Sequence, residues 1–180
     1  MCCGNAALAI AISKICREIH GVDYSDYLID SAKKVKAKNN LINLQLHLSD
    51  AMNIDKLFSK NFFDKSYCYF SFQYFNKNKR EALLDRLSYV TKNKGTIFLG
   101  DIPDKTRRWN FYKSPQKFYR EKISRFLKFK EGECDLGWWI DPQEIIDWCT
   151  NRNMRAEVLT QEKHLPHFHY RFDMLIVNAK

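Results

Sequence analysis

The 180 residues suffice for one domain with a sizeable core, and a 45% hydrophobic share with 14% aromatics excludes a disordered chain. Thirty Lys and Arg against 21 Asp and Glu give a formal charge of +9, which favours anionic partners, and no apolar run reaches the ~18 residues of a membrane span. The six cysteines (2, 3, 16, 68, 134 and 149) form no C-x-x-C pair, so reduced, mostly buried thiols of a cytoplasmic protein are expected.

The chain opens Met1-Cys2-Cys3-Gly4-Asn5-Ala6 and runs into an apolar stretch. Residues 5–15 read as a helix that is apolar nearly all round, and hence buried. No basic segment precedes it, so it is not read as a signal peptide. Residues 17–23 read as a strand ending at Asp23, nineteen residues after Gly4. A glycine turn opening a helix, followed about 20 residues on by an acid closing a strand, is the spacing of a dinucleotide or nucleoside site. The glycine lets backbone approach a ligand, and the acid accepts hydrogen bonds from ribose hydroxyls. A short apolar strand is expected ahead of such a turn, and none stands before Cys2.

Ser25 can cap a helix whose apolar positions Leu28, Ala32 and Val35 share a face. Residues 44–48 alternate and end at Ser49-Asp50, a further strand closed by an acid. A short helix over 54–58 leads into a strand over 64–70. Asn78, with Glu81 three residues on, reads as a capping-box start for a helix carrying Leu83, Leu87 and Val90. Lys94-Gly95 then turns the chain into 96–100, apolar enough for a central strand, with Asp101 at its end.

The period breaks over 103–140. Residues 105–130 hold ten Lys and Arg and a single acid, Glu121, interleaved with seven aromatics. A helix is expected from Ser114-Pro115, including Phe118, Ile123 and Phe126. The segment is a solvated insertion, a lid over an anionic acceptor, or an RNA-binding surface. Trp138-Trp139 reads as a core-covering flap or a substrate wall. Asp141-Pro142-Gln143-Glu144 places an N-cap, a proline at the first helical position and a Glu at the third, opening a helix with Ile145, Ile146 and Cys149 inward. Strands over 155–160 and 172–179 close the chain around a histidine-rich loop, 164–170.

Alternating strands and helices imply a doubly wound, mostly parallel Rossmann-like α/β sheet, and the last two strands an antiparallel hairpin at its edge. In that order the chain resembles the class I S-adenosylmethionine-dependent methyltransferases. Cys3-Gly4-Asn5-Ala6 matches the tail of the family's acid-x-Gly-Cys-Gly-x-Gly motif, with Cys2 and Ala6 where its first and last glycines stand. Gly21-Val22-Asp23-Tyr24-Ser25 resembles the second-strand motif, whose acid holds the ribose. Ser49-Asp50-Ala51 resembles the third, whose aspartate accepts the adenine amino group. The stretch from Phe63-Asp64-Lys65 to Phe75 resembles the fourth-strand segment, and Lys94-Gly95-Thr96 the turn before the fifth.

The resemblance implies S-adenosylmethionine as cofactor, held by Cys3, Gly4, Asp23, Tyr24, Asp50, Ala51 and Phe70. The ordinary readings of the acids are helix cap for Asp23 and turn acid for Asp50. No Asn/Asp-Pro-Pro-Tyr follows the fourth strand, which argues against methylation of nucleobase amino groups. The family's first strand lies mid-sheet, so its absence leaves a slot between the second and fourth. That slot must be filled by upstream residues, by a partner chain, or by collapse of the fourth strand onto the second.

Methyl transfer is an in-line displacement, in which a base is needed only for a weakly acidic hydroxyl acceptor. The histidine loop falls on the ligand side of the inferred sheet, with His169 first and His167 second as proton acceptor; the ordinary reading is exposed loop histidines. His-x-x-His-x-His could supply metal ligands, but no acid or cysteine of suitable spacing stands beside it, so no metal is assigned. Asp101, Tyr170 and Arg171 are the candidate acceptor contacts. The expectation is a single domain over 1–180, with an insertion or lid at about 103–140, methylating a small or glycan-type acceptor, anionic or neutral, on oxygen. The alternatives are an RNA methyltransferase that uses 105–130, and a truncated or degenerate relative without chemistry.

Overall fold

A computed structural model describes residues 1–112, 114–117, 119, 120, 123, 133, 134 and 136–178. In chain order these form α1 (Ala7–Ser13), β1 (Ile19–Asp23), α2 (Asp26–Lys38), β2 (Leu44–Leu48), α3 (Ile54–Leu57), β3 (Phe63–Tyr69) and α4 (Lys77–Val90). There follow β4 (Thr91–Pro103), α5 (Arg108–Tyr112), the short β5 (Glu133–Cys134) and β6 (Gly137–Trp138), α6 (Pro142–Thr150), β7 (Arg155–Thr160) and β8 (Arg171–Val177). Strands β1 and β2 pair in parallel; β3, β4, β8 and β7 form a second sheet, parallel between β3 and β4 and antiparallel thereafter. The expected α/β architecture and its closing hairpin are present. Among the described residues no helix is long and apolar enough to cross a membrane.

Local chemistry accounts for most boundaries. Ser25 Oγ accepts the Leu28 N–H at 3.3 Å to start α2, which turns Ile29 and Ala32 inward. Asp141 accepts the Gln143 N–H at 3.0 Å and Pro142 opens α6, which buries Ile145, Trp148 and Cys149. The cap of α4 lies two residues before the expected Asn78. Asn76 takes the cap, its Oδ1 accepting the Lys79 N–H at 3.0 Å, so Glu81 does not complete a capping box.

Helix α1 departs from its expected burial. Only Ala9 is buried, and Ile15, just beyond the helix, is 83% exposed. One face, Ala6 and Ala9, packs on Ile19, Ala32, Leu41 and Leu44, and that is the apolar surface which β1, α2 and β2 offer it. Of the helix expected from Ser114, the described part holds a cap, Ser114 Oγ accepting the Lys117 N–H at 3.3 Å; Phe118, Phe126 and most of the basic segment beyond Arg120 lie outside the described residues.

Strands β1 and β3 lie in separate sheets, so the family's fourth strand has not collapsed onto its second. Residues 1–3 sit between their carboxyl ends. Cys3 N–H donates to the Val22 carbonyl at 3.0 Å and Met1 N to the Tyr67 carbonyl at 2.8 Å. Met1 is buried in the main core with Val22, Ala51, Ile54 and Cys68. A ring cluster spans the divide elsewhere: His20 of β1 stacks on His47 of β2 at 5.2 Å, and Phe63 of β3 meets His20 edge-on at 5.4 Å. Burial, and then the nearby His20, push the His47 imidazole below its ordinary pKa, which keeps the stacked ring neutral near pH 7.

The core itself lies between α4 and the second sheet, where Leu83, Leu87, Ile97, Leu99, Phe172, Met174 and Ile176 are fully or almost fully buried. Asn178 fastens the helix to this sheet. Its Nδ2 donates to the Ser88 and Thr91 carbonyls at 3.0 and 2.8 Å, and its Oδ1 accepts the Ser88 hydroxyl at 3.1 Å. Replacing it with Leu strands those buried groups. Urea denaturation of Asn178→Leu is expected to show a loss of about 1–3 kcal/mol. A loss below about 0.5 kcal/mol would mean that water replaces the amide without cost.

Candidate cofactor and acceptor site

The carboxyl ends of β1 to β4 gather at one end of the molecule, where open α/β sheets hold ligands. Asp23 closes β1 and is 6% exposed. Its Oδ2 accepts the Gly4 N–H at 2.9 Å and its Oδ1 the Ser25 N–H at 3.1 Å, so one carboxylate clasps both the opening loop and the start of α2. The Asp23 carbonyl accepts from Ser49 N–H at 2.9 Å, which brings the end of β2 alongside. Gly4 has φ +53°, and a Cβ built there would meet nothing within 4 Å. The loop therefore presents bare backbone beneath open space, the cradle a ligand needs. Burial pushes the neighbouring Cys3 thiol up to about 11, leaving it neutral.

The other residues expected to hold the cofactor border the same end. Tyr24 is 79% exposed directly after Asp23. Asp50 accepts the Met52 N–H at 2.8 Å and so caps a turn, with Ala51 buried behind it. Phe70 follows β3 at φ +54°, partly exposed. The structure thus brings Cys3, Gly4, Asp23, Tyr24, Asp50, Ala51 and Phe70 to the carboxyl ends of β1, β2 and β3 and the opening loop between them.

Asp101 sits on a bulge. The β4–β8 register shifts between Leu99 and Ile102, and Asp101 has φ +61°. Such a backbone costs a non-glycine residue ~1–2 kcal/mol, and its surroundings must enforce it. They do: Asp101 N–H donates to Asp173 Oδ1 at 2.7 Å, and Gln161 Nε2 spans Asp101 Oδ1 and Asp173 Oδ1 at 3.1 and 3.0 Å. Arg171, 1% exposed, donates from Nη1 to the Asp101 carbonyl and to Asp101 Oδ2 at 3.3 Å. Its guanidinium lies 4.9 Å from the Phe70 ring, which joins the network to the residue after β3. Gly100, just before the bulge, admits no side chain, since a Cβ would collide with the Tyr69 ring.

Tyr170 is buried against Tyr112 and Trp139, and its hydroxyl shares a hydrogen bond with His167 Nδ1 at 2.9 Å. His169 packs edge-on against Tyr170 at 4.9 Å, and its carbonyl accepts from Asn110 at 2.7 Å. His164 pairs instead with Glu162 at 3.1 Å. The three histidines thus turn to separate partners, and among the described residues no group of three His, Cys, Asp or Glu is set to hold a metal.

Gln161 and Asp173 were not singled out in the sequence. The one signal was Asp173 itself, a charge inside the apolar run Phe172-Asp173-Met174-Leu175-Ile176.

The sequence profile of the methyltransferase domain matches residues 1–95, over half of the chain. The chain belongs to that family, the class I S-adenosylmethionine-dependent methyltransferases. No curated relative matches it. The methyltransferase is similar to a SAM-dependent methyltransferase structure from Methanosarcina mazei, at 12% identity and TM-score 0.72, over 97% of this chain and 87% of that one. It is similar to YcgJ from Bacillus subtilis at 10% identity and TM-score 0.70, over 99% and 90%. It is also similar to magnesium protoporphyrin IX methyltransferase from Synechocystis PCC 6803 with bound SAH, at 15% identity and TM-score 0.66, over 98% and 71%. Likeness at such identities bears on the fold alone.

S-adenosylmethionine is the methyl donor of this family. The residues present fit it: open space over Gly4, a buried carboxylate with lone pairs to spare at Asp23, and an exposed ring at Tyr24. Asp23→Ala removes the carboxylate that holds the Gly4 loop and the start of α2. Calorimetry with S-adenosylhomocysteine is expected to show binding weakened by ~1.5–3 kcal/mol. An unchanged dissociation constant would remove Asp23 from the site.

Proposed function

We propose that this methyltransferase methylates an oxygen of a small or glycan-type anionic acceptor, with His169 as proton acceptor and His167 in support. One observation carries the reading. The histidine loop, the Asp101–Arg171 network and the Gly4–Asp23 loop border one end of the sheet, with Arg171 over Phe70 as the link between them.

Bound there, S-adenosylmethionine supplies a methyl group activated by its positive sulfur. The chain's own residues do the rest. Backbone at Cys3 and Gly4 admits the cofactor, Asp23 accepts from its ribose hydroxyls, and Asp50 accepts from its adenine amino group. Tyr24, Ala51 and Phe70 wall the nucleoside. Asp101, held rigidly by Gln161 and Arg171, is aimed at an acceptor hydroxyl, with Tyr170 and Arg171 fixing the loop beside it. An alcohol loses its proton as it attacks, and a loop imidazole is suited to take it near neutral pH. Positioning of the two reactants supplies most of the remaining rate.

Turnover is followed as S-adenosylhomocysteine release over a panel of hydroxylated phosphates and carboxylates. His169→Ala is expected to lower it by ~10²-fold or more, while the cofactor dissociation constant stays within about twofold. Full activity in that variant would leave the loop a structural element.

A further inference from the structure

We propose that the cleft between the amino ends of α4 and α6 is an anion subsite that takes the phosphate monoester of a small acceptor against a tryptophan wall. The proposal rests on the histidine loop being the acceptor side, and it adds the chemical class of that acceptor.

The cavity measures about 290 Å³ and is lined by Lys77, Arg80, Lys105, Arg108, Trp138, Trp139 and Glu144. Arg80 is paired with Glu144, and Lys77 and Lys105 bring two further positive charges with no acidic partner among the described residues. A monoanion would leave half of those two charges unbalanced, whereas a phosphate monoester carries about −1.5 to −2 near neutral pH. Lys77 and Arg80 rise from the first turn of the 14-residue α4, and Glu144 from the first turn of α6, so two helix amino ends add to the positive field.

The walls are built rather than incidental. Arg80 is 6% exposed, with Nη1 donating to the Phe75 carbonyl at 2.9 Å and Nη2 to Glu144 Oε2 at 3.0 Å. It is fixed before any ligand arrives. The Arg108 guanidinium lies 5.8 Å over the Trp139 ring. Trp139 is 7% exposed, and among the described residues its indole Nε1, a donor, has no hydrogen-bond partner. A buried donor left unmade is costly in a finished structure, and an acceptor oxygen entering the cleft would satisfy it. Lys77 and Lys105 are exposed and have no acidic partner among the described residues, so their charges are available to a ligand.

Position and size narrow the occupant. Trp139 packs against Tyr170 at 6.0 Å, and the Tyr170 hydroxyl reaches His167 at 2.9 Å. Two packed rings, Trp139 and Tyr170, therefore connect the cleft to His167 of the histidine loop. The volume lies at the small end of ligand cavities, which favours one small molecule over a polyanion laid across the surface.

The test uses the full chain and its tryptophan fluorescence, titrated with phenyl phosphate at low salt and, separately, with S-adenosylhomocysteine. Phenyl phosphate is expected to give a saturating one-site change that inorganic phosphate competes away. Exchanging both exposed lysines, Lys77→Gln with Lys105→Gln, is expected to weaken phenyl phosphate ~10-fold and to leave S-adenosylhomocysteine within about twofold. Trp139→Phe should remove most of the fluorescence change and weaken phenyl phosphate by ~3-fold or more, as loss of the indole donor requires. Equal phenyl phosphate binding by the wild type and the double-lysine variant would overturn the subsite. So would oligoribonucleotides that compete with an affinity rising with their length, since that is an RNA surface. Loss of S-adenosylhomocysteine binding with phenyl phosphate retained would instead overturn the cofactor reading and leave the subsite standing.

Discussion

One carboxylate holds the working end of this molecule together. Asp23 is almost wholly buried, yet both its oxygens are engaged, one by Gly4 N–H and the other by Ser25 N–H. Hydrogen bonds to an ionised acceptor are worth about 1.5–3 kcal/mol each, more than neutral ones, and here they point in two directions. Toward the start of the chain they set the loop over which a ligand can lie on bare backbone. Toward α2 they fix the turn whose helix Ser25 then caps. The loop needs this anchor because Cys2, Gly4 and Ala6 all take positive φ, a conformation that costs most residues energy.

The same region carries the division of the sheet. Between β1 and β3 the ladder of a continuous sheet is replaced by hydrogen bonds from residues 1–3 at one end and by the His20–His47–Phe63 rings elsewhere. Met1 packs with Val22 and Cys68, so the opening residues serve both as core and as the support of Gly4. The end of β4 has its own constraint in the bulge at Asp101. There Gln161, Arg171 and Asp173, from β8 and from the residue after β7, hold a backbone geometry that regular pairing would not. Removing either Asp101 or Arg171 leaves the other a buried charge without its partner, so the two act as a unit.

Much of this was legible in the sequence. Strand β2 and strand β7 have the expected bounds, because alternation and flanking polar residues mark them locally. The capping signals at Ser25 and at Asp141-Pro142 are likewise local, and both hold. Asn76 shows the limit of such signals: two asparagines stand within three residues, and only the backbone path decides which one caps. Helix α1 shows another. Its residues are apolar on several faces, but burial depends on what packs there, and that is not written in a seven-residue helix. Gln161, Asp173 and Arg80 were missed for a related reason. Each acquires its meaning from a partner many positions away in the chain, as in Gln161 with Asp101 or Arg80 with Glu144.

The most direct measurement is a titration of isotopically labelled protein with S-adenosylhomocysteine, following backbone amide resonances. A ligand lying over the Gly4 loop, with its ribose on Asp23, should move the amides of Gly4, Tyr24, Ala51 and Phe70 together along a single saturating curve. Saturable binding that leaves Gly4 and Tyr24 unmoved, or no binding up to millimolar ligand (roughly −4 kcal/mol), would contradict the account.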